Sequence, residues 1–248
     1  MNFNLQFIFS FLALIFGVFA GVYFFVNWLC RRRKCTFLVI WALALFLFYW
    51  FKIPNILSNA GLEITLTDFH GFFIGTAFIY FVAHIFIYLG IMFIEPGTYS
   101  ERTGKLLILW SGLALVFFSA YFLIEGLEQY MPLWLSVLFF YLPIQFLILS
   151  ALYRWFRRKE VFTTKRSLLG VFCMLLSIFS LIISSIFYLT QLLANPSMFW
   201  FAAVTFSYSN SLLQTLSTLL LVAGMLLVHK ECCQIVITTS SPKKAGSN

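Results

Sequence analysis

The sequence predicts an all-α membrane protein, a bundle of seven transmembrane helices with its N-terminus outside and its C-terminus inside. Of the 248 residues, 62% are hydrophobic and only 10% are charged, which is more apolar surface than a soluble domain of this length can bury. Apolar runs of about 20 residues recur along the chain, and that length crosses the ~30 Å hydrocarbon core of a bilayer. The basic residues lie in short clusters between alternate runs, as a topology signal does.

The apolar runs and the stop signals between them place the seven spans at about 5–28, 36–53, 71–94, 106–125, 133–153, 168–190 and 202–228. Residues 1–228 are therefore predicted to form one transmembrane domain. The remaining stretch, 229–248, ends in SSPKKAGSN and is predicted to be a disordered inner tail.

Charged residues indicate the orientation of the first span, and a proline marks the end of the second. No Lys or Arg precedes the first span, so the positive n-region of a cleavable signal peptide is missing. The basic loop from Arg31 to Lys34 follows directly and places this end inside. Gly17 and Gly21 have the GxxxG spacing that lets another helix approach closely, and we expect packing within the chain rather than dimerisation. Pro54 ends the second span.

The third span carries a single ionisable side chain, His84, just past its middle. Tyr80 and Tyr88 lie four residues to either side, so the three side chains share one helix face. An ionisable group at this depth in a membrane is a functional hypothesis by default. The pattern suggests a proton relay, a ligand contact or a haem ligand for His84.

The structural alternative is a neutral His84 imidazole that is hydrogen-bonded to a neighbouring helix. Its candidate partners are Tyr80, Tyr88, Gln145, Asn210 and Gln214. Haem is disfavoured because His70 shares the helix with His84, about 21 Å away, so the two cannot face each other across a macrocycle.

The fourth and fifth spans are bounded by charges. Glu125 closes the fourth span at its outer end. Pro143 and Gln145 lie near the centre of the fifth span, where the proline frees a backbone carbonyl and favours a kink. A strongly basic loop from Arg154 to Arg166 follows the fifth span and is predicted to lie inside.

The last two spans carry small and polar residues at helical spacing. Ser177, Ser180 and Ser184 form a small-residue packing seam on the sixth span. The outer half of the seventh span has a polar face made of Ser207, Asn210, Ser211, Gln214, Ser217 and Thr218. Together with Gln145 this face indicates a buried polar cavity for a small ligand. The alternative is hydrogen bonding that only holds the bundle together.

The charge distribution supports this topology. All but Lys52 of the 16 Lys and Arg residues fall in the predicted inner loops and tail. The net charge of +8 is thereby explained by orientation, and no nucleic-acid partner is predicted. Four of the five cysteines lie at the predicted inner side, where we expect reduced thiols.

Several functional classes are disfavoured by missing residues. No Asp or Glu lies deep in a span, where ion-coupled pumps usually need one. The seventh span has no Lys for a retinal Schiff base, and neither HExxH, GxSxG nor a nucleotide-binding loop occurs. The sequence therefore predicts no enzyme activity, no cofactor and no metal site.

The layout resembles the N-terminal seven-helix membrane sensor regions of bacterial histidine kinases and related signalling proteins. The shared features are an outer N-terminus, the basic first inner loop from Arg31 to Lys34, and the basic loop from Arg154 to Arg166. The resemblance implies a membrane sensor with a cytoplasmic output. No coiled coil or output domain follows Val228, so such a sensor would act through a separate protein partner.

A second resemblance is to seven-helix sugar facilitators built as three plus one plus three helices. Basic clusters follow both the first and the fifth span, which fits a parallel repeat. The segment YLPIQ at 141–145 supplies a proline and a glutamine, although not the adjacent pair of that family.

The sequence as a whole thus predicts a receptor-like or regulatory protein that binds a small ligand in the bundle. The candidate contacts are His84, Tyr80, Tyr88, Gln145, Asn210 and Gln214. A small-solute facilitator and a structural subunit of a membrane complex remain open. The sequence predicts the lipid bilayer as a partner and suggests a cytoplasmic or membrane protein partner at the two basic loops. The short loops and the high Phe content favour a bacterial inner membrane over a eukaryotic membrane.

Overall fold

The fold was analysed in a computed structural model, which describes residues 5–30, 35–50, 53, 56, 66–94, 101–124, 127, 134–157, 164–194 and 208–240. Within these ranges the chain is helical and contains no strand. The prediction of an all-α protein is confirmed. The loop from Arg31 to Lys34 and the outer connection 57–65 lie outside the described residues.

The described ranges hold seven helices. They are α1 (Leu5–Cys30), α2 (Thr36–Trp50), α3 (Leu66–Ile94), α4 (Glu101–Leu123), α5 (Trp134–Arg157), α6 (Lys165–Ala194) and α7 (Tyr208–Ser240). Six are long and apolar enough to cross a membrane, whereas α2 is apolar but has only 15 residues. These helices are consistent with an integral, multi-pass membrane protein.

Helix α7 corrects the predicted disordered tail. The helix continues through His229 to Ser240, although disorder was predicted from His229 onward. The reason is burial: His229 and Cys232 are both buried, and Tyr23 Oη on α1 lies 3.1 Å from His229 Nε2. The polar composition of residues 229–240 did not indicate that one face of this segment packs against α1. Residues 241–248 lie outside the described ranges.

Sequential helices pack antiparallel wherever their contacts fix a direction. The contacts that define the directions are Gly17 with Tyr49 and Phe24 with Trp41 (α1–α2), Phe48 with Tyr80 and Trp41 with Gly90 (α2–α3), Phe78 with Phe118 and Phe81 with Trp110 (α3–α4), Gln145 with Ser185 and Phe156 with Phe172 (α5–α6), and Ser177 with Ser217 and Gly170 with Gly224 (α6–α7). Short connections between such neighbours are usual in helix bundles.

Helix α3 is central and α4 is peripheral. In the apolar segment of α3, 61% of the residues are buried, whereas the figure for α4 is 22%. Helix α3 packs against α2, α4 and α5 and also contacts α7. Helix α4 packs mainly against α3. The exposed side chains of α4, such as Ile108 and Val116, are apolar and suited to lipid.

Small residues let two helix pairs approach closely. Gly17 and Gly21 lie against the rings of Tyr49 and Phe46, so the GxxxG spacing packs α1 on α2, as predicted. Gly170 and Gly224 bring α6 and α7 into backbone contact. A Cβ atom on Gly224 would stand 2.6 Å from the carbonyl oxygen of Gly170.

Proline distorts α5 near its N-terminal end. Residues Val137–Tyr141 form a π-helical turn immediately before Pro143. Pro143 has no N–H, so the carbonyl of Phe139, four residues earlier, loses its regular helical donor. The indole Nε1–H of Trp110 on α4 donates to this carbonyl at 3.1 Å. The predicted distortion therefore takes the form of a wide turn, and its released carbonyl is hydrogen-bonded by the neighbouring helix.

Candidate functional site

His84 is fully buried in α3 and bonds to its own helix. Its Nδ1 lies 2.8 Å from the backbone carbonyl oxygen of Tyr80, one turn earlier. Tyr80 is one of the partners that the sequence predicted, but the bond is to its backbone carbonyl within α3 and not to a neighbouring helix. The other ring nitrogen, Nε2, is buried and has no hydrogen-bond partner among the described residues.

Aromatic rings surround the imidazole of His84. The ring of Tyr80 stands edge-on at 4.5 Å between centroids, and the ring of Phe48 on α2 lies at 5.4 Å. Phe48 and Tyr80 also contact each other at 4.9 Å. The imidazole thus faces an apolar wall built by two helices, where a polar atom without a partner is costly.

Tyr141 fixes α5 against α3. Its hydroxyl donates to the backbone carbonyl of Ala77 at 2.6 Å, and its ring lies 5.7 Å from that of Tyr80. Toward the C-terminal ends of the two helices, Arg154 on α5 lies within electrostatic range of Tyr88 on α3. Residue numbers rise together in both helices, so α3 and α5 run parallel.

Gln145 is the second buried polar side chain at this level. Its Oε1 accepts a hydrogen bond of 3.0 Å from the hydroxyl of Ser185 on α6. Its Nε2 is fully buried and finds no partner within the part of the chain that the structure describes. The side chain therefore joins α5 to α6 with one end and leaves two amide hydrogens unused at the other.

The two residues with unpartnered nitrogens occupy corresponding places in the sequences of α3 and α5. His84 follows Tyr80 by one helical turn and Gln145 follows Tyr141 by one turn, so each backbone position is about 6 Å along its helix from the residues of the Tyr80–Tyr141 contact. We call His84 Nε2 and Gln145 Nε2 the central polar pair. His84 Nε2 accepts or donates a hydrogen bond according to the tautomer of the ring, whereas Gln145 Nε2 only donates.

The remaining predicted site residues are Tyr88, Gln214 and Asn210. Tyr88 is buried one turn after His84 on α3 and lies near Arg154 of α5. Gln214 on α7 is half-buried, and its backbone carbonyl accepts from the Ser217 hydroxyl at 2.8 Å. Asn210 lies in α7, but its side chain is outside the described set.

The polar face of α7 is largely used for packing. The Ser217 and Thr218 hydroxyls bond to carbonyls of their own helix, at 2.8 and 2.7 Å. Ser177 on α6 donates to the backbone carbonyl of Ser217 at 2.6 Å. At these positions the alternative of hydrogen bonding that holds the bundle together is the better description.

Sequence reasoning missed three residues of the site: Phe48, Tyr141 and Ser185. Each belongs to a different helix, and the local sequence around Phe48 and Ser185 does not set them apart from their neighbours. For Tyr141 there was one indication, because it precedes Gln145 by one helical turn. The other two become visible only when α2 and α6 are packed against the centre.

The basic residues gather at one end of the bundle. The described basic residues on this side belong to α4–α7 and are all exposed: Arg102, Lys105, Arg154, Arg157, Lys165, Arg166 and Lys230. At the same end Thr164 donates to Glu231 at 2.9 Å, which ties α6 to α7. The residues 158–163 of the predicted basic loop are outside the described ranges.

No cluster of three His, Cys, Asp or Glu side chains with metal-binding potential occurs in the described ranges. The five cysteines are free thiols there, with Cys30 exposed and Cys35, Cys232 and Cys233 buried. No protein-family model, no curated protein and no solved structure matches this chain.

Proposed function

We propose that this chain is a receptor-like membrane protein that binds a small ligand inside its helix bundle and acts without catalysis. The observation that carries the proposal is the central polar pair. Two fully buried side chains on adjacent parallel helices each leave a hydrogen-bonding nitrogen without a partner among the described residues. A small polar ligand that enters the bundle at these side chains would supply the missing partners.

The free energy that is lost by leaving these two nitrogens without hydrogen bonds supports a functional role for them. Leaving a buried donor or acceptor unsatisfied costs about 1–3 kcal/mol each. Phe or Leu would fill similar volumes without that cost. The presence of His84 and Gln145 is explained if the hydrogen bonds of a ligand offset the cost. Stability is commonly given up in this way at binding sites.

We further propose that all seven helices cross the membrane, with the N-terminus outside. Helix α2 is short, at 15 residues, but it packs antiparallel to both α1 and α3. A crossing of about 22 Å is accommodated by local thinning of the bilayer. The basic residues at one end favour that end as the cytoplasmic one.

Ligand-induced stabilisation tests the proposed site. Wild type, His84→Phe and Gln145→Leu would be reconstituted in nanodiscs and melted with a panel of small neutral molecules, with Ser150→Ala as control. Ser150 is exposed on α5 and bonds only to the Leu147 carbonyl among the described contacts. Molecules that stabilise wild type and Ser150→Ala should fail in both site variants. If every stabilising molecule acts equally on all four proteins, the site is wrong.

Solute flux separates a receptor from a facilitator at the same site. Vesicles containing the protein would be loaded with each stabilising molecule and its efflux followed. A receptor gives efflux equal to that of lipid alone. Efflux above lipid that disappears in His84→Phe would replace the receptor proposal by a facilitator.

We also propose that the signal leaves through a separate partner at the basic end. Arg154, Arg157, Lys165 and Arg166 are exposed there and offer positive charge to an acidic surface. A photo-reactive residue in place of Arg157, in native membranes, should capture a specific soluble protein. Capture of a membrane subunit instead would favour a structural role in a larger complex.

A further inference from the structure

At the basic end of the bundle, two neighbouring helices each carry two exposed basic residues. Arg154 and Arg157 lie in the last turn of α5, and Lys165 and Arg166 begin α6. Glu231 on α7 brings one negative charge to this end, where it accepts a hydrogen bond from Thr164 at 2.9 Å. The described charges at the ends of α5 and α6 therefore leave this part of the surface positive.

An aromatic contact joins α5 to α6 beside these charges. The rings of Phe156 on α5 and Phe172 on α6 lie 6.5 Å apart between centroids, and both rings are exposed. Arg157 follows Phe156 directly, and Lys165 precedes Phe172 by seven residues, which is about 10 Å along the helix. Because α5 and α6 are antiparallel, both steps lead toward the same end of the bundle.

Exposed apolar side chains continue from the two charges along both helices. Lys165, Leu169 and Phe172 share one face of α6, since they are separated by four and three residues. On α5 the guanidinium carbon of Arg157 lies 6.0 Å from the centroid of the Tyr153 ring, one turn earlier. Tyr153, Leu169 and Phe172 are all exposed. We call this surface the α5–α6 face, made of Tyr153, Phe156, Arg157, Lys165, Leu169 and Phe172.

The lengths of α5 and α6 place the charges of this face at the lipid head groups. The apolar segment of α5 has 24 residues and ends at Arg157, and that of α6 has 26 residues and begins at Lys165. At 1.5 Å per residue these segments are about 36 and 39 Å long, which exceeds the ~30 Å hydrocarbon core. Their terminal residues therefore extend beyond the hydrocarbon, and long basic side chains reach further toward the phosphates.

We propose that the α5–α6 face binds anionic phospholipids. Their head groups lie at Arg157 and Lys165, and their acyl chains lie along Tyr153, Leu169 and Phe172. Basic residues of adjacent membrane helices attract negatively charged head groups in this way. The inference concerns the lipid-facing side of the bundle, so it depends neither on a ligand inside the bundle nor on a protein partner.

Helix α4 offers a matched comparison at the same end. Arg102 and Lys105 are exposed there, and Leu106 and Leu109 are exposed beside them. Helix α4 packs mainly against α3, whose residues Leu66–Ile94 include no Lys or Arg. Two charges on one helix should attract anionic lipid less strongly than the charges that α5 and α6 bring together.

Quenching by brominated lipids tests the inference. In a Cys30→Ser, Cys173→Ser background, whose other three cysteines are buried, a bimane fluorophore on Leu169→Cys reports on the α5–α6 face. A fluorophore on Leu109→Cys reports on α4, and each probe lies one turn from a lysine. Vesicles would contain phosphatidylcholine and phosphatidylglycerol, with bromine on the chains of one or the other. Quenching at Leu169→Cys should show a roughly fivefold preference for phosphatidylglycerol, larger than the preference at Leu109→Cys.

Two double variants, each lacking two positive charges, separate a local surface from an effect of net charge. Arg157→Gln with Lys165→Gln should abolish the preference at Leu169→Cys, whereas Arg102→Gln with Lys105→Gln should leave it unchanged. Thermal melts check that both variants are folded.

Three results would overturn the inference: no lipid preference at Leu169→Cys, the same preference at Leu169→Cys and Leu109→Cys, or an equal loss in the two double variants. The comparison of the two probes needs no charge variant. The vesicles contain no other protein, so such a result would leave the proposed protein partner to the photo-crosslinking experiment.

Discussion

At the scale of single residues, the site is made by atoms that lack partners. His84 and Gln145 each satisfy one polar atom, with Tyr80 and Ser185 respectively, and leave the other without a described partner. Half-satisfied side chains fix their own orientation before a ligand arrives. A ligand then meets a preorganised acceptor and donor, which lowers the entropic cost of binding.

Replacement of His84 by Phe should separate stability from binding. Without ligand, the free energy of unfolding should stay the same or rise by up to ~1 kcal/mol, because a buried unsatisfied nitrogen is removed. Ligand-induced stabilisation should vanish. Thermal melts in detergent check both parts. A strong loss of stability without ligand would mean that the imidazole holds the bundle together.

The same substitution at two glycines should have opposite effects. Gly224→Ala places a Cβ 2.6 Å from the Gly170 carbonyl oxygen, so the unfolding free energy should fall by about 1–3 kcal/mol. A Cβ atom on Gly112 would meet no atom of another described element within 4 Å, and Ala there should be neutral or stabilising by about 0.5–1 kcal/mol. Equal effects in thermal melts would contradict the close α6–α7 crossing.

The residue scale also shows what a sequence can reveal. His84 was found from sequence because it is the lone ionisable group in an apolar run, and the membrane makes such a group stand out. Its bond to the Tyr80 carbonyl was not foreseen, because the expectation was a partner on another helix. Tyr141 and Ser185 were missed because their roles depend on how three helices pack.

At the scale of elements, α5 is shaped by one proline and one tryptophan. Pro143 removes a donor, the π-helical turn Val137–Tyr141 absorbs the distortion, and Trp110 bonds to the Phe139 carbonyl. The same segment sets the direction of Tyr141, which anchors α5 to Ala77 on α3. The kink was predictable from the proline, whereas its partner on α4 was not.

A double-mutant cycle tests this link between α4 and α5. Trp110→Phe alone should lower the unfolding free energy by roughly 0.6 kcal/mol, the usual size of an interhelical hydrogen bond. In the Pro143→Ala background the new N–H can bond to the Phe139 carbonyl, so Trp110→Phe should cost almost nothing. An equal cost in both backgrounds would show that the indole acts through packing alone.

At the scale of the whole molecule, the antiparallel packing of successive helices brings the described basic residues of α4–α7 to one end of the bundle. The apolar runs and charge clusters predicted the helices well, since membrane insertion depends on just these features. The polar end of α7 was mispredicted, because its burial against α1 depends on Tyr23 and His229 coming together. Composition alone does not show such a contact.

Accessibility labelling tests the proposed topology. In a Cys30→Ser background, Lys52→Cys and Arg32→Cys would each be treated with a membrane-impermeant maleimide in right-side-out vesicles. If α2 crosses the membrane, Lys52→Cys should react from outside and Arg32→Cys only after permeabilisation. Reaction of both from the same side would mean that α2 does not cross.

The most direct test of the central claim is photolabelling in nanodiscs with a diazirine derivative of a molecule that stabilises wild type. Mass spectrometry of the labelled protein should find the adducts on α3 and α5, around His84 and Gln145. An excess of the unmodified molecule should displace them, and His84→Phe should abolish them. Adducts spread over the exposed apolar faces of α1 and α4, equal in wild type and His84→Phe, would contradict a ligand site at the central polar pair.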